Sequence, residues 1–415
     1  MNRVVRGVGA LLVFLLLAAS CATGERPIVV EEGSPEYLAY VAEADEPVAG
    51  GVLRAALLRP TTVDPAAIAL DHSGAVILSD LLFDGLTQVT SDGEVVSGLA
   101  SGWDPSEDFE VWTFTLDESA SFHDGRAVTS EAVVASLLRV SSSDSPAAPP
   151  LEHLVFEVVD ERTVRVTATA PNTLIPVMLA GVAYGIVPPD FEESTLVGSG
   201  PFRATAVDGP RWRLDGVVGR TWLEGVEAVL VDDLGTAFEI FVSDGLDLAL
   251  VPSGAAARAF ESGVVHQRAA STLFYAGSDE ELPLNGLSTA VRPWASLIPR
   301  ALVGEVPCPD CESPAPAVVA TDRWVAPYAS PAPLFDGLAV AADGPLSALL
   351  EQVRGEPDPL ARAALLAQAD ELARDSGLAQ PVADGLHSMV VSERVHGLAV
   401  RADGSIYATS LWIGI

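Results

Sequence analysis

Between Val226 and Val251 the sequence switches twice between two periods: a strand-like run Val226–Val231, a short helical run Gly235–Ser243, and a second strand-like run Leu246–Val251. A strand, helix, strand succession of this length closes only as a parallel pair, because parallel neighbours need a crossover. This one stretch commits the chain to a mixed α/β architecture, and the other elements have to be compatible with it.

Upstream, Gly51–Arg59 alternates small and apolar residues up to Pro60, a strand entering a loop, and Thr62-Val63-Asp64-Pro65 is turn-forming. Ser73–Gln88 places Val76, Ile77, Leu81, Leu82 and Leu86 at helical spacing, with Gly85 suited to a C-cap. Ser91-Asp92-Gly93 is a turn, Val111–Leu116 a strand, and Phe122-His123-Asp124-Gly125 another turn. Thr129 is the expected N-cap of a helix reaching Arg139. A Ser/Pro/Ala loop covers 141–150, and Leu154–Val159 and Thr163–Ala168 make a hairpin around Asp160-Glu161-Arg162. The turn Val197-Gly198-Ser199-Gly200-Pro201-Phe202 leads into a strand; it has no lysine and opens no helix, which excludes a nucleotide loop. Residues 286–345 read as irregular and proline-rich. The helical face Leu360, Ala364, Leu365, Ala369, Leu372 covers 359–377, and strands at 388–391 and 397–400 close the chain.

The first residues have the form of an export signal. Arg3 and Arg6 are followed by an apolar run Leu11–Leu17 and by Ala18-Ala19-Ser20-Cys21. The run is too short for a spanning helix, which needs roughly 20 apolar residues. Small residues before a cysteine resemble a bacterial lipobox, so Cys21 is the expected lipidation site and 1–21 the lipoprotein signal peptide. The alternative is an ordinary secretory signal with Cys21 incidental. Residues 22–46, rich in Gly, Pro and Glu, fit a flexible tether.

About 390 residues then remain, enough for two or three domains. Hydrophobic residues make up 49% of the chain, as expected for a globular protein. The net charge of −34 becomes −36 without Arg3 and Arg6. Such a surface repels phosphate backbones, so nucleic acid is not an expected partner. All 23 basic residues are arginine.

Cys308 and Cys311 form a C-x-x-C flanked by prolines. A redox pair would open a helix after a strand, and a zinc site would need two more ligands; His266 is distant in sequence. A local disulfide is the expectation in an exported chain. His266, His387 and His396 are too scattered for a metal site, so neither metal nor cofactor is expected. His123 beside Asp124 lies on a turn without a nucleophile, and no catalytic residues are assigned; the chain is not expected to be an enzyme.

The order of these pieces resembles the family 5 extracytoplasmic solute-binding proteins, the peptide- and nickel-binding components of ABC importers. Five pieces carry the resemblance: Gly51-Val52-Leu53 with Val63-Asp64-Pro65; Leu82-Phe83-Asp84-Gly85-Leu86; Gly98-Leu99-Ala100-Ser101-Gly102-Trp103; Trp112-Thr113-Phe114-Thr115-Leu116 with Phe122-His123-Asp124-Gly125; and the helix from Val128 to Leu137, with Ala132 where an Asp is usual. The turn at 197–202 and the closing segment Val391–Leu398 extend it. The resemblance implies an α/β, two-lobed periplasmic-binding-protein-like fold of type II, with an inserted subdomain in the first lobe and a shortened second lobe. Lobe I would span 47–252, with the insert at about 67–185, and return at 386–415; lobe II would span 253–385.

It also implies a ligand held in the inter-lobe cleft, where closure excludes water. Gly198, Ser199 and Gly200 are one expected ligand-binding segment. Trp324 and Tyr328, in Trp324-Val325-Ala326-Pro327-Tyr328, are the other. In peptide-binding members an acid in the latter segment pairs with the ligand's amino group; here Pro327 stands in its place, and Asp322 or Asp336 could substitute. The implied function is an extracytoplasmic substrate-binding lipoprotein of an ABC importer, anchored to the membrane by lipid, monomeric, delivering a peptide or other small polar solute to permease and ATPase subunits. The alternative is a binding-derived envelope lipoprotein acting as a sensor or interaction protein without transport.

Overall fold

A computed structural model describes residues 46–70, 73–90, 94–145, 147–251, 264–276, 321–325, 344–375, 380–401 and 405–414. Its organising element is β1 (Val52–Leu58), whose Leu53, Ala55, Ala56 and Leu57 are all buried. β1 is central because parallel strands flank it on both sides: β10 (Gly225–Val231) and β11 (Leu248–Leu250). The strand, helix, strand rhythm is therefore parallel as read, but its two strands are not neighbours, since β1 lies between them. The connecting helix α4 (Leu234–Asp244) starts on the Asp233 carboxylate, which accepts from Thr236 N at 2.8 Å, and ends on Gly245 at φ +59°. Its Ala237, Phe238 and Phe241 pack on Ala56, Val231 and Ala249.

Antiparallel strands extend this core on both sides. β9 (Arg211–Gly216) and β8 (Phe202–Asp208) continue beyond β10 as a meander. On the other side β14 (Gln380–Val391) pairs with β11 through Met389–Val391. Along its other edge β14 pairs with β12 (Val264–Ala276) from Val391 to Gln380, and β13 (Thr321–Val325) pairs with residues 272–276 of β12. β12 and β14 thus form a ribbon that outruns the body of the eight-stranded sheet.

The second core belongs to residues 66–186. Hairpin β2 (Thr87–Val89) and β3 (Val95–Ser97) leads into a four-stranded antiparallel sheet, ordered β4 (Ala100–Pro105), β5 (Val111–Leu116), β7 (Thr163–Ala168), β6 (Leu154–Asp160). Helix α2 (Ser130–Ser141) covers it, capped by Thr129 Oγ1, which accepts from Ala132 N. Leu137, Val133, Phe114, Val164, Val166, Ile175 and Tyr184 fill the interior, and Tyr184 Oη donates to Ala147 O at 3.0 Å. α3 (Ile175–Met178) is a single turn at its edge.

Helix α1 (Ser73–Leu82) is the joint between the cores. Ala75 and Val76 face the second core, and Ile77, Leu78, Leu81 and Leu82 face the first. It is therefore buried nearly all round rather than amphipathic. It also stops at Leu82, six residues before the expected end. Gly85 is not its cap: a Cβ there would lie 2.3 Å from Leu179 O, so the residue serves close packing, and Thr87–Val89 leave the helix to pair as β2. Gly74 has the same use at the other end, with Leu58 O 2.0 Å from a hypothetical Cβ.

Helices α5 (Pro345–Gly355) and α6 (Pro359–Asp375) form a hairpin. The loop between them docks on Thr173: Thr173 N donates to Arg354 O at 2.7 Å, its Oγ1 to Glu356 O at 3.0 Å, and Arg362 Nη1 donates to Thr173 Oγ1 at 3.1 Å. Three readings need correction here. β13 lies inside the stretch read as irregular, α5 was not anticipated, and 397–400 holds only the single bridge Val400–Ile406, the last paired strands being β15 (Val395–His396) and β16 (Trp412–Ile413). The expected turn at 91–93, the C-x-x-C at Cys308 and Cys311, Cys21 and the tether up to residue 45 lie outside the described residues.

Candidate functional site

In an open α/β sheet, ligands approach the carboxyl ends of parallel strands where the strand order reverses, because there two connections leave in opposite directions and open a crevice. That place here is the end of β1, with β10 on one side and β11 on the other. Arg59 follows β1. Its N–H donates to Val231 O at 2.7 Å, its Nε to Asp232 Oδ1 at 2.9 Å and its Nη2 to Leu230 O at 3.1 Å. Asp232 is largely exposed and Arg59 partly so, which leaves this ion pair open to solvent at the end of β1.

The loop after Arg59 is fixed from beneath. Glu193 Oε1 accepts from Thr62 Oγ1 and Val63 N, both at 2.8 Å. Asp64 accepts from Arg139 Nη1 at 2.6 Å, and that guanidinium lies 5.4 Å from the ring of Phe191, which meets Phe83 edge-on. Arg59 and Asp232 were not singled out by sequence. The signal exists, a charged residue directly after β1 and after β10, but it becomes readable only once the strand order is known.

The Gly198-Ser199-Gly200 turn directly precedes β8, and all three residues are buried. Gly198 and Gly200 allow the closest approach: a Cβ on either would meet the Leu82 backbone, at 1.9 Å from its O for Gly198. Ser199 Oγ donates to Ile186 O at 2.7 Å and accepts from Asp84 N at 3.1 Å. Gly200 N donates to Leu82 O at 2.8 Å. The hydroxyl expected to meet a ligand is thus engaged within the protein, and the residue acts as a tie between segments.

Two charged or polar side chains complete this knot. His123 Nδ1 accepts from Gly198 N at 3.1 Å and its Nε2 lies 3.0 Å from Gly200 O. With Nδ1 accepting, the proton sits on Nε2 and is donated to Gly200 O. Burial pushes the His123 ring below the usual histidine range, with the positive Arg220 and Arg203 adding to the effect and the hydrogen bond to Gly200 opposing it. Arg220 donates from Nη1 to Ser199 O at 2.6 Å and from Nη2 to Asp84 Oδ2. Burial raises the Asp84 carboxyl above the ordinary value, and Arg220 pulls against that rise. His123 therefore acts as a structural ring rather than a catalytic one.

Trp324 lies in β13 opposite Leu273 of β12, on the ribbon and away from the knot in the pairing order. Asp322 is two residues back, opposite Tyr275. Tyr328, Pro327 and Asp336 lie outside the described residues. His266 and His387 sit on adjacent strands in the β12–β14 ribbon, while His396 stacks on Trp412 at 4.1 Å. Among the described residues, no group of three or more His, Cys, Asp or Glu could hold a metal ion.

A large sheet with a central parallel set, an inserted second core and a ribbon leading to a further segment is the fold of the two-lobed periplasmic binding proteins. The Escherichia coli murein tripeptide binding protein MppA has it, superposing with a TM-score of 0.67 over 90% of this chain and 99% of its own, at 16% identity. Within that class, residues 94–215 match the family described as bacterial extracellular solute-binding proteins, family 5 Middle. The probable D,D-dipeptide-binding periplasmic protein DdpA of E. coli is 30% identical over 48% of this chain and 40% of its own length. The dipeptide-binding protein DppE of Bacillus subtilis is 26% identical over 47% and 41%. The alignments thus span less than half the length of these curated relatives. No helix among the described residues is long and apolar enough to cross a membrane.

Proposed function

We propose that the chain is the extracytoplasmic substrate-binding lipoprotein of an ABC importer, taking up a peptide or other small polar solute in the cleft between two lobes and handing it to a membrane permease. The observation that carries this is the central parallel set, β1 flanked by β10 and β11, in a fold whose relatives are described as dipeptide- and murein peptide-binding proteins. Lobe I is assigned to 47–252 and 386–415, with an insert at about 67–185, and lobe II to 253–385; β11 and β14 are then the strands joining the lobes. The C-terminal ends of the parallel strands, with Arg59 and Asp232, form one wall of the cleft. Trp324 and Tyr328 are the candidate ligand contacts from the other lobe, with Gly198, Ser199 and Gly200 those from the first.

Anchoring through a lipidated Cys21 and a monomeric state belong to the same reading, as does the absence of any catalytic role: in the described part of the site no nucleophile meets a base and an orienting group. Pro327 in place of an acid supports the second reading, an envelope lipoprotein that has kept the scaffold without transport. Calorimetric titration with defined di- and tripeptide pools decides between them. Saturable binding with a rise in melting temperature supports uptake, and neither heat nor thermal shift with any peptide refutes it.

A further inference from the structure

The opposite end of the central strands carries a cavity of about 290 Å3. Arg54 lies near the start of β1, Asp247 directly precedes β11, and Ser392 and Arg394 follow β14, so the cavity sits at the far end of the same strands from the crevice. Phe241, Val242 and Leu246, from the end of α4 and the turn after it, form its apolar wall.

Its polar end is built around one buried carboxylate. Asp247 is 1% exposed, whereas the side chains of Arg54 and Arg394 are 39% and 54% exposed. Asp247 Oδ2 accepts from Arg54 N at 2.9 Å and Arg54 Nε at 3.4 Å; Oδ1 accepts from Ser392 Oγ at 3.4 Å and faces Arg394 Nη2 at 3.4 Å. Arg54 Nη2 also donates to Gly245 O at 2.5 Å, the carbonyl at the end of α4. Each guanidinium has five N–H donors, and these contacts use two from Arg54 and one from Arg394. Two cations share one anion, so the cluster keeps a positive charge on a chain whose net charge is −34. The buried carboxylate and Gly245 O hold the Arg54 fork in position and the carboxylate draws Arg394 beside it, so less side-chain freedom is lost when an anion meets them.

We propose that this cavity binds a small organic acid, its carboxylate on the free edges of Arg54 and Arg394 and its apolar body against Phe241, Val242 and Leu246. The site is separate from the crevice at the other end of the strands and does not depend on what that crevice binds. Because its lining residues adjoin β1, β11 and β14, an occupant would tie together the three strands at the centre of the sheet.

The test is calorimetric titration of the full-length chain with phenylacetate, using phenylacetamide as the uncharged control. Phenylacetate is expected to bind saturably with a dissociation constant of about 1 mM, as suits a ligand of its size. Loss of the charge in phenylacetamide, or of one fork in Arg394→Gln, is expected to weaken binding at least about tenfold. Val242→Trp, at a half-exposed helical position, is expected to block the cavity to the same extent while unfolding at the wild-type urea midpoint. No saturable heat with phenylacetate, equal affinity for the amide, or wild-type affinity in either variant would overturn the proposal.

Discussion

Replacing His123 with alanine removes the ring that holds two main-chain groups of the 198–200 turn, Gly198 N–H and Gly200 C=O. A buried polar group left without a partner costs about 1–3 kcal/mol. His123 is only partly buried, so water can replace some of what is lost, and about 2–3 kcal/mol for the pair is expected. The ring also leaves a pH signature. Its folded pKa is depressed, so the unfolded chain binds more protons below the unfolded value of about 6.5. The contribution of neutral His123 is therefore complete above pH 6.5 and falls as the pH drops below it, at up to about 1.4 kcal/mol per pH unit. Urea unfolding followed by tryptophan fluorescence at pH 7.5, 6.5 and 5.5 measures both effects. The wild type should lose about 1 kcal/mol more than His123→Ala between the upper and lower pH. Parallel pH profiles, or a cost under about 0.5 kcal/mol at pH 7.5, would refute the role given to the ring.

Gly198→Ala places a methyl group against Leu82 O and should destabilise by about 3 kcal/mol, read from the same urea midpoints. Thr173→Val keeps the shape but removes the hydroxyl between Glu356 O and Arg362; a loss of about 1 kcal/mol with faster amide exchange in 345–375 is expected. Trp324→Ala should lower affinity for the cleft ligand at least about tenfold by calorimetry while leaving the melting temperature unchanged, and equal affinity would show that the cleft lies elsewhere. Because every basic residue is arginine, the chain has no side-chain amine. If the chain is processed at the proposed Cys21, an amine-reactive dye should label one position per chain when that α-amino group is free and none when it is acylated, as read by intact mass.

What was legible in the sequence is what depends on neighbours in sequence. The hairpin of β6 and β7, the Thr129 cap of α2 and the existence of α6 follow from local periodicity or capping chemistry. The face expected of α6 does not hold: Leu360 and Ala364 are exposed, and Leu366 is buried beside Ala369. The burial of α1 on every side was not legible, since its second face is covered by residues up to Ile186. The insertion of β1 between β10 and β11 was equally hidden: the rhythm gives direction, not order. The turn at 198–200 was visible as a turn, but its partners Asp84, His123, Ile186 and Arg220 come from four other places in the chain. Glycine flanking a serine there signals close backbone approach, and this does not distinguish a ligand from a neighbouring helix.

The position of β1 also bears on when the protein can fold. Its first partner, β10, ends at Val231, its second comes at Leu248, and β14 follows only at 380–391. The first of the described strands to emerge from the ribosome thus waits through most of synthesis before its sheet can close, and closing such distant pairs is slow. Slow closure keeps a newly made chain threadable, the condition a polypeptide must meet if it is to pass through a membrane pore before reaching its final shape.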